Sequence, residues 1–336
     1  MVSGGAGFIG SNFVRYVLDE TDDQIVVLDK LTHAGNMENL TRAHDHQHFC
    51  FIQGDIADLD TVRRAIDGAD IVINFAAESH VDRSILEPEA FLRTNVQGTF
   101  AMLEACRLDG VGRYLQVSTD EVYGEVLEGS TPETAVLQPR SPYAASKAAG
   151  DLLVSAYHIT YGLPTLLTRG CNAFGPHQYP DRLIPITITE AVDDHRVPVY
   201  GDGLQVRDWL YVEDHCSAID CVARKGTPGE TYNIGAANLR TNLEVIERIL
   251  DLLPRPRSLV EHVLDRPGHD RGYSVDSTKL RELGWRERQS FEQGLEQTVT
   301  WYLNNEAWWR RVRATPEYQE YFRRNYERRA SLLVSS

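Results

Sequence analysis

Tyr143 and Lys147 are four residues apart in the helix-forming run that follows Pro142. Because residues at i and i+4 share one helix face, the two side chains can meet. A lysine cation beside a phenol favours the phenolate, so we expect it to lower the pKa of Tyr143 towards the range of a general base. Such a tyrosine can take a proton from an alcohol while a hydride leaves the same carbon. The alternative is an amphipathic pair at the edge of a core, and a dinucleotide site elsewhere in the chain would decide between the two.

Two neighbouring carboxylates follow a short apolar stretch. Residues 115–117 are typical of a buried strand, and Ser118, Thr119, Asp120 and Glu121 come directly after it. Ligands of an open α/β sheet bind beyond the carboxyl ends of its strands, so we expect these side chains to reach a ligand site. Burial and like charge push the pKa values of two carboxyls apart, which suits one for an acid and the other for a base. The sequence leaves open which of the two pKa values is raised.

The glycines at 4, 7 and 10 have the spacing G-x-x-G-x-x-G, a variant of the dinucleotide-binding fingerprint. Gly4 would make the tight turn, Gly7 would admit the pyrophosphate, and Gly10 would let helix and strand pack closely. The helix that starts there would aim its N-terminal amides at the phosphates. Asp29 ends the next apolar run about 20 residues after Gly10, the spacing of an acid that holds the adenosine ribose and favours NAD over NADP. Lys30 follows it and weakens that preference, and an ordinary glycine-rich turn is the alternative to the whole motif.

Strands alternate with helices along the first half, which predicts a doubly wound parallel α/β sheet of the Rossmann type. We expect strands near 25–28, 49–56, 71–75, 115–117 and 164–169, and helices near 60–66 and 89–108. The first strand would be short, because only three residues precede Gly4. Breakers at 175–180 indicate a passage from an NAD-binding domain, residues 1–174, into a smaller α/β substrate domain, residues 175–336. A strand near 231–234 is expected to return to the first domain.

Charge and cysteine content exclude several classes. The formal net charge is −15 over 336 residues, which argues against binding to nucleic acid or an anionic membrane. The five cysteines show no Cys-x-x-Cys spacing, which predicts free thiols in a reducing cytoplasm and neither disulfides nor a metal site. No apolar run reaches membrane length, and no signal-peptide pattern is present.

Together these motifs resemble the extended short-chain dehydrogenase/reductase family. Within it, the chain is similar to the dTDP-glucose 4,6-dehydratases, on the segments 76–84, 119–124, 182–185, 205–209 and 265–271. Thr119, Asp120 and Glu121 discriminate best, because the corresponding positions of sugar-nucleotide epimerases usually lack the Asp-Glu pair. Departures include Cys171 and Ala173, in a segment where the family usually has Ser-Asn-Asn-Tyr, and Arg182 in place of a lysine; they bear on the exact nucleotide and sugar.

The resemblance implies three sets of site residues. The catalytic set is Thr119, Asp120, Glu121, Tyr143 and Lys147. Residues implied to bind the NAD cofactor are Gly4, Gly7, Phe8, Ile9, Gly10, Asp29, Lys30, Leu31, Thr32, Asp55, Ile56, Phe75, Ala76, Ala77, Ser79, Thr94, Tyr143, Lys147 and Ala173. Residues implied to bind the sugar nucleotide are Ser79, His80, Thr119, Asn172, Arg182, Leu183, Pro198, Val199, Tyr200, Arg207, Asn242, Arg266 and His269.

The reaction implied is the loss of water from dTDP-glucose to give a 4-keto-6-deoxy sugar. Tyr143 would act as base for the 4-hydroxyl, with Thr119 bonded to that oxygen, while Glu121 would take the C5 proton and Asp120 would protonate the leaving C6 hydroxyl. The alternatives are a sugar-nucleotide 4-epimerase, which needs no carboxylate pair, and a non-catalytic NAD-binding sensor.

The family usually forms a homodimer, here through helices near 89–108 and 143–157. We also expect the Asn242 amide to cap a helix and the aromatic C-terminal tail to form a helical surface layer.

Overall fold

The computed structural model describes residues 1–327. A seven-stranded parallel sheet forms its centre, in the spatial order β10-β6-β5-β4-β1-β2-β3. Its strands are β1 (Val2–Ser3), β2 (Ile25–Asp29), β3 (Phe49–Gln53), β4 (Ile71–Asn74), β5 (Arg113–Thr119), β6 (Thr165–Gly170) and β10 (Thr231–Ile234). The predicted doubly wound α/β fold is confirmed. This order reverses direction between β1 and β4, which is where ligands bind in such sheets.

The short first strand occupies the middle of this sheet. Val2 pairs with Val27 of β2 on one side and with Ile73 of β4 on the other, and it is buried. Two residues therefore give the central strand both of its ladders. At the far edge, β10 pairs in parallel with β6, with Thr231 opposite Leu167. The return of this strand is as predicted, and β10 rather than the strand at 164–169 forms the edge of the sheet.

Helices cover both faces of the central sheet. Those that belong to its layers are α1 (Phe8–Glu20), α2 (Thr41–His44), α3 (Leu59–Ile66), α4 (Val81–Leu86), α5 (Pro88–Phe91), α6 (Thr99–Asp109), α7 (Pro142–Tyr161) and α9 (Val212–Lys225). The helix predicted near 89–108 is present, but it is not α-helical throughout. A π-helical segment at Leu92–Gly98 joins α5 to α6, and its Thr94 lines the cleft at the carboxyl ends of the strands.

Two small sheets and further helices make up the second region. The strands β7 (Asn172–Phe174), β9 (Val206–Tyr211) and β11 (Leu239–Thr241) form one sheet, and β8 (Val197–Tyr200) pairs with β12 (Val260–Val263) in the other. Their helices are α8 (Leu183–Val192), α10 (Asn242–Leu252), α11 (Thr278–Glu282), α12 (Phe291–Asn304), α13 (Glu306–Arg313) and α14 (Pro316–Phe322). This region has a core of its own, centred on Phe174, Trp209, Tyr302 and Trp309. The division of the chain into domains at 174/175 stays a prediction.

Two local expectations for this region were wrong. The cap of α10 is Thr241 and not Asn242: the Thr241 hydroxyl accepts from the Glu244 amide, and the Glu244 carboxylate accepts from the Thr241 amide. The C-terminal helices are more than a surface layer, because they bury Trp309, Tyr318 and Tyr321 against the rest of the chain. In residues 1–327, no helix is long and apolar enough to cross a membrane.

Candidate active site

A cleft runs across the carboxyl ends of the central strands, between the large sheet and the second region. Every residue predicted for catalysis, cofactor binding or substrate binding lines it except Leu31. The backbone N–H of Leu31 instead donates to the Asp29 carboxylate at 2.8 Å, and its side chain packs against the core. The resemblance implied that Leu31 binds the cofactor, and this assignment stays a prediction; in the structure its backbone N–H helps to hold the Asp29 carboxylate.

The glycine turn shapes one end of the cleft. Gly4 has φ +69°, a conformation that side chains disfavour, and a Cβ there would lie 2.6 Å from the Ala76 nitrogen. A Cβ on Gly10 would lie 2.2 Å from the Gly4 carbonyl oxygen. These two positions therefore exclude any side chain, and α1 begins directly after Gly7. The result is a bare backbone cradle at a helix N-terminus, which is a ready site for a pyrophosphate.

Asp29 and Lys30 lie at the end of β2, beside this cradle. The Asp29 carboxylate accepts from the backbone N–H groups of Ala6 and Leu31 at 2.9 and 2.8 Å, and burial raises its pKa. The Lys30 ammonium pairs with the Asp55 carboxylate at 2.8 Å. The lysine that weakened the cofactor preference in the sequence thus has an acidic partner of its own.

Tyr143 and Lys147 point from the first turns of α7 into the centre of the cleft. Both are buried, at 8% and 5% exposure, and the Lys147 ammonium donates to the Val117 carbonyl at 2.7 Å. Burial lowers the pKa of Lys147 to about 8. Burial also raises the pKa of Tyr143, and the negative charge of Glu121 adds to this. The expected lowering of the Tyr143 pKa is therefore wrong, because desolvation of the phenolate outweighs the effects of Arg182 and the Thr119 hydroxyl, which lower this pKa.

The two carboxylates lie where β5 ends and a 3₁₀ turn, Asp120–Tyr123, begins. The Thr119 hydroxyl donates to an Asp120 oxygen at 3.3 Å. Burial and the charge of Glu121 raise the pKa of Asp120 to about 8, although Arg207 opposes the shift. The pKa of Glu121 is raised as well, mainly by burial, while Arg266 and Arg207 lower it. Asp120 is therefore largely protonated at neutral pH, which answers the question that the sequence left open.

Basic side chains line the opposite end of the cleft. Arg207 is buried, donates to the carbonyls of Val206 and Asp270, and lies over the Tyr273 ring. It does not pair with its neighbour Asp208, whose carboxylate instead accepts from backbone N–H groups at 236–238. The Arg182 guanidinium donates to the carbonyl and hydroxyl of Ser79 at 2.7 and 3.0 Å.

His269 and Arg266 complete this basic end. The His269 ring is 2.6 Å from the Asp265 carboxylate, and burial followed by repulsion from Arg266 lowers its pKa to about 4. The Arg266 Nε has no partner among the described residues. A buried donor without a partner carries a free-energy cost, so it marks a place where a ligand acceptor would fit.

Sequence reasoning missed one lining residue of consequence, Tyr326. It lies in the π-helical turn Arg323–Glu327 that follows α14, and its ring stacks on that of Tyr200 at 5.8 Å. The density of aromatic residues in the tail was the available signal. That signal could not show which rings face the cleft.

Comparisons with known proteins identify the family of this chain. The family model described as GDP-mannose 4,6 dehydratase matches residues 1–298. The low-salt glycan biosynthesis protein Agl12 of Haloferax volcanii is 52% identical over 91% of this chain and 99% of its own length. The dTDP-glucose 4,6-dehydratase of Streptomyces niveus is 48% identical over 94% of this chain and 96% of its own.

Solved structures give the same result. The crystal structure of DesIV, a dTDP-glucose 4,6-dehydratase from Streptomyces venezuelae with NAD bound, superposes with a TM-score of 0.91. The sequence identity is 48%, and the match covers 93% of this chain and 98% of that one. These matches extend over both regions of the fold and the cleft between them. The protein therefore belongs to the family of the GDP-mannose and dTDP-glucose 4,6-dehydratases.

Proposed function

We propose that the protein is a dTDP-glucose 4,6-dehydratase, which converts dTDP-glucose into dTDP-4-keto-6-deoxyglucose and water with NAD as its cofactor. One observation carries the proposal. A tyrosine–lysine pair and a carboxyl pair open on the same cleft, and a bare glycine cradle forms the end of that cleft. An alcohol oxidation needs the first pair, and an elimination of water needs the second.

The first step is the removal of the proton from the sugar 4-hydroxyl. Tyr143 would take this proton in its phenolate form, and the Thr119 hydroxyl would bond the same sugar oxygen. An ammonium has three donors, and the Val117 carbonyl uses one of those of Lys147. Because the pKa of Lys147 is about 8, its charge is available at neutral pH to stabilise the phenolate. When bound, NAD would supply the hydride acceptor for the oxidation at C4 and the hydride donor for the reduction at C6.

Elimination across C5 and C6 then uses the two carboxyls. A 4-ketone acidifies the C5 hydrogen, so Glu121 can remove it as a base. Asp120 carries the proton that the departing C6 hydroxyl needs, because its pKa of about 8 keeps it protonated at neutral pH. Arg266 and Arg207 lower the pKa of Glu121 against the effect of burial, which favours its charged form as a base.

The basic end of the cleft suits the nucleotide diphosphate. In a chain of net charge −15, the arginines at 182, 207 and 266 concentrate positive charge at one place. Guanidinium groups bind phosphate oxygens in a bidentate geometry, so these residues would hold the diphosphate. Ser79, His80, Asn172, Leu183, Pro198, Val199, Tyr200, Asn242 and His269 would surround the rest of the substrate, as they line the same cleft.

The geometry at the end of β2 favours NAD over NADP. Asp29 is fixed by two backbone donors and would accept from the ribose hydroxyls, while its charge would repel a 2′-phosphate. The ion pair with Asp55 occupies the Lys30 ammonium, which would otherwise attract that phosphate. The glycine cradle and the chemistry of these side chains thus fit the cofactor.

We also propose a homodimer in the cytoplasm. Large apolar side chains are exposed on the outer side of α6, α7 and the turn before α6, at Leu92, Phe100, Leu108, Leu152 and Ile159. Burial of these side chains against a second copy would remove an exposed apolar patch from water. Light scattering during gel filtration should give twice the mass of one chain, and Leu152→Asp should shift the protein towards monomer.

Incubation with dTDP-glucose tests the function directly. A dehydratase gives a 4-keto-6-deoxy product that is identified by mass loss of one water, a 4-epimerase gives a product of unchanged mass, and a sensor gives none. UDP-glucose in a parallel reaction tests the nucleotide preference. Unchanged dTDP-glucose after prolonged incubation with added NAD would refute the proposal.

A further inference from the structure

The end of the described chain closes on the substrate side of the cleft. The hydroxyl of Tyr321, in α14, lies 2.9 Å from Nε2 of His80, and both side chains are buried. Burial lowers the pKa of His80 to about 4, so its ring is neutral at pH 7 and its contact with the phenol is an uncharged hydrogen bond. The Arg83 guanidinium lies over the Tyr321 ring, 4.9 Å from its centroid, so the ring is held by this contact as well as by its hydroxyl.

A second contact of the same segment involves Tyr326. Its ring is nearly parallel to that of Tyr200, with an angle of 20° and a centroid distance of 5.8 Å. The Tyr200 hydroxyl donates to the buried Asp82 carboxylate at 2.9 Å, so Tyr200 is held at its tip and along one ring face. Both tyrosines line the cleft.

The two contacts lie at the basic end of the cleft and not at the glycine cradle. Tyr200 ends β8, and its ring centroid is 6.1 Å from that of His269. His80 is 3.3 Å from the carbonyl of Asp181, the residue that precedes Arg182. A change in the C-terminal segment should therefore reach the sugar-nucleotide side and leave the dinucleotide side unaffected.

We propose that Tyr321 and Tyr326 are positioning residues of the sugar-nucleotide site, acting through His80 and Tyr200. The inference rests on the proposed function, since it assigns the segment to that substrate. An aromatic ring without its stacking partner gains rotamer freedom, which must be lost again when substrate binds. The C-terminal segment thus preorganises one wall of the site before the substrate arrives.

Tyr326→Ala tests the proposal, because it removes the stacking ring. Loss of an aromatic pair of this kind corresponds to roughly a three- to tenfold change in affinity. We expect KM for dTDP-glucose to rise by this factor, with kcat changed less than about twofold and the content of bound NAD unchanged. Tyr326→Phe keeps the ring but loses the hydroxyl that bonds Tyr200 and Tyr321, so it should restore the wild-type KM in part.

Two further variants separate positioning from folding. Tyr321→Phe removes only the hydroxyl at His80 and should also raise KM, by a smaller factor. Arg323→Ala lies in the same segment but changes a surface ion pair with Glu320, so KM should stay at the wild-type value. If Tyr326→Ala does not fold, Tyr326→Leu keeps an apolar side chain of similar reach and should show the same rise in KM.

The outcomes are distinct. Wild-type protein that does not turn over dTDP-glucose refutes the proposed function. If wild type is active and Tyr326→Ala has an unchanged KM, the positioning role alone is refuted. It is also refuted if Tyr326→Ala loses kcat and thermal stability together and Tyr326→Phe restores neither. Equilibrium binding of dTDP to the NAD-containing protein gives an independent readout, and its affinity should fall in parallel with the rise in KM.

Discussion

Replacement of Asp120 by asparagine tests whether this buried carboxyl is protonated at neutral pH. Asparagine has the shape of the protonated aspartate, but it has no proton to give and cannot become charged. Since burial and Glu121 hold the pKa of Asp120 at about 8, the wild-type side chain is neutral below this pH and charged above it. The variant should therefore match wild type at about pH 4 and differ from it at about pH 9.

The expected stability difference follows from linkage. A carboxyl whose folded pKa exceeds its unfolded pKa stabilises the protein fully below the unfolded value. This contribution is lost as the pH rises from the unfolded to the folded value, here from 3.8 to about 8. The rise from 3.8 to about 8 sets an upper limit of about 6 kcal/mol for that loss. Structural relaxation and water entry reduce this loss. We therefore expect the free energy of unfolding of Asp120→Asn to exceed that of wild type by about 2 kcal/mol or more at about pH 9. At about pH 4, close to the unfolded pKa, this loss has hardly begun and the two proteins should agree within about 1 kcal/mol.

Urea denaturation of both proteins at the two pH values measures this difference. Groups that titrate alike in both proteins contribute equally and cancel in the difference.

Activity supplies a second test. Loss of a general acid should lower kcat by about a hundredfold or more in the variant. In wild type, kcat should fall about tenfold per pH unit above pH 8, because Asp120 must be protonated. Equal stability of the two proteins at both pH values, with a flat wild-type kcat, would refute the assignment of Asp120 as a buried acid.

Three other predictions follow from the site and the fold. Tyr143→Phe should lose about a hundredfold or more in the first oxidation, since the phenol is the proposed base, and near-normal turnover would contradict that role. The protein should purify with NAD, because each turnover returns the hydride; denatured protein that releases no dinucleotide, with no rate increase on adding NAD, would count against it. Thr241→Ala should lower the free energy of unfolding by about 1 kcal/mol in urea denaturation, and Asn242→Ala should cost less because Asn242 is not the cap of α10.

Much of the fold and of the site was predictable because it depends on local patterns. The alternation of strands and helices dictates a parallel sheet, and the carboxyl ends of its strands bring Asp29, Thr119 and Asp120 to one edge. The glycine spacing located the cradle because Gly4 and Gly10 leave no space for a Cβ. These features need no knowledge of long-range packing.

The features that sequence reasoning missed depend on the surroundings of a residue in three dimensions. The pKa of Tyr143 rises because the surrounding cleft desolvates the phenol, and the Lys147 ammonium donates one of its hydrogen bonds to the Val117 carbonyl. A capping box needs the backbone geometry at Thr241, which adjacent polar residues in the sequence do not reveal. The tail was taken for a surface layer because its partners, such as His80, are more than 200 residues away.

Glu121→Gln tests the central claim most directly, that two separate pairs of side chains serve two separate steps. Glutamine keeps the size of glutamate but cannot accept the C5 proton, while Tyr143 and Lys147 are unchanged. With dTDP-glucose, the account predicts that the absorbance of reduced nicotinamide accumulates on the enzyme, with little 6-deoxy product and little solvent deuterium at C5. Normal turnover with full deuterium incorporation at C5 would contradict it and would require another base for the elimination.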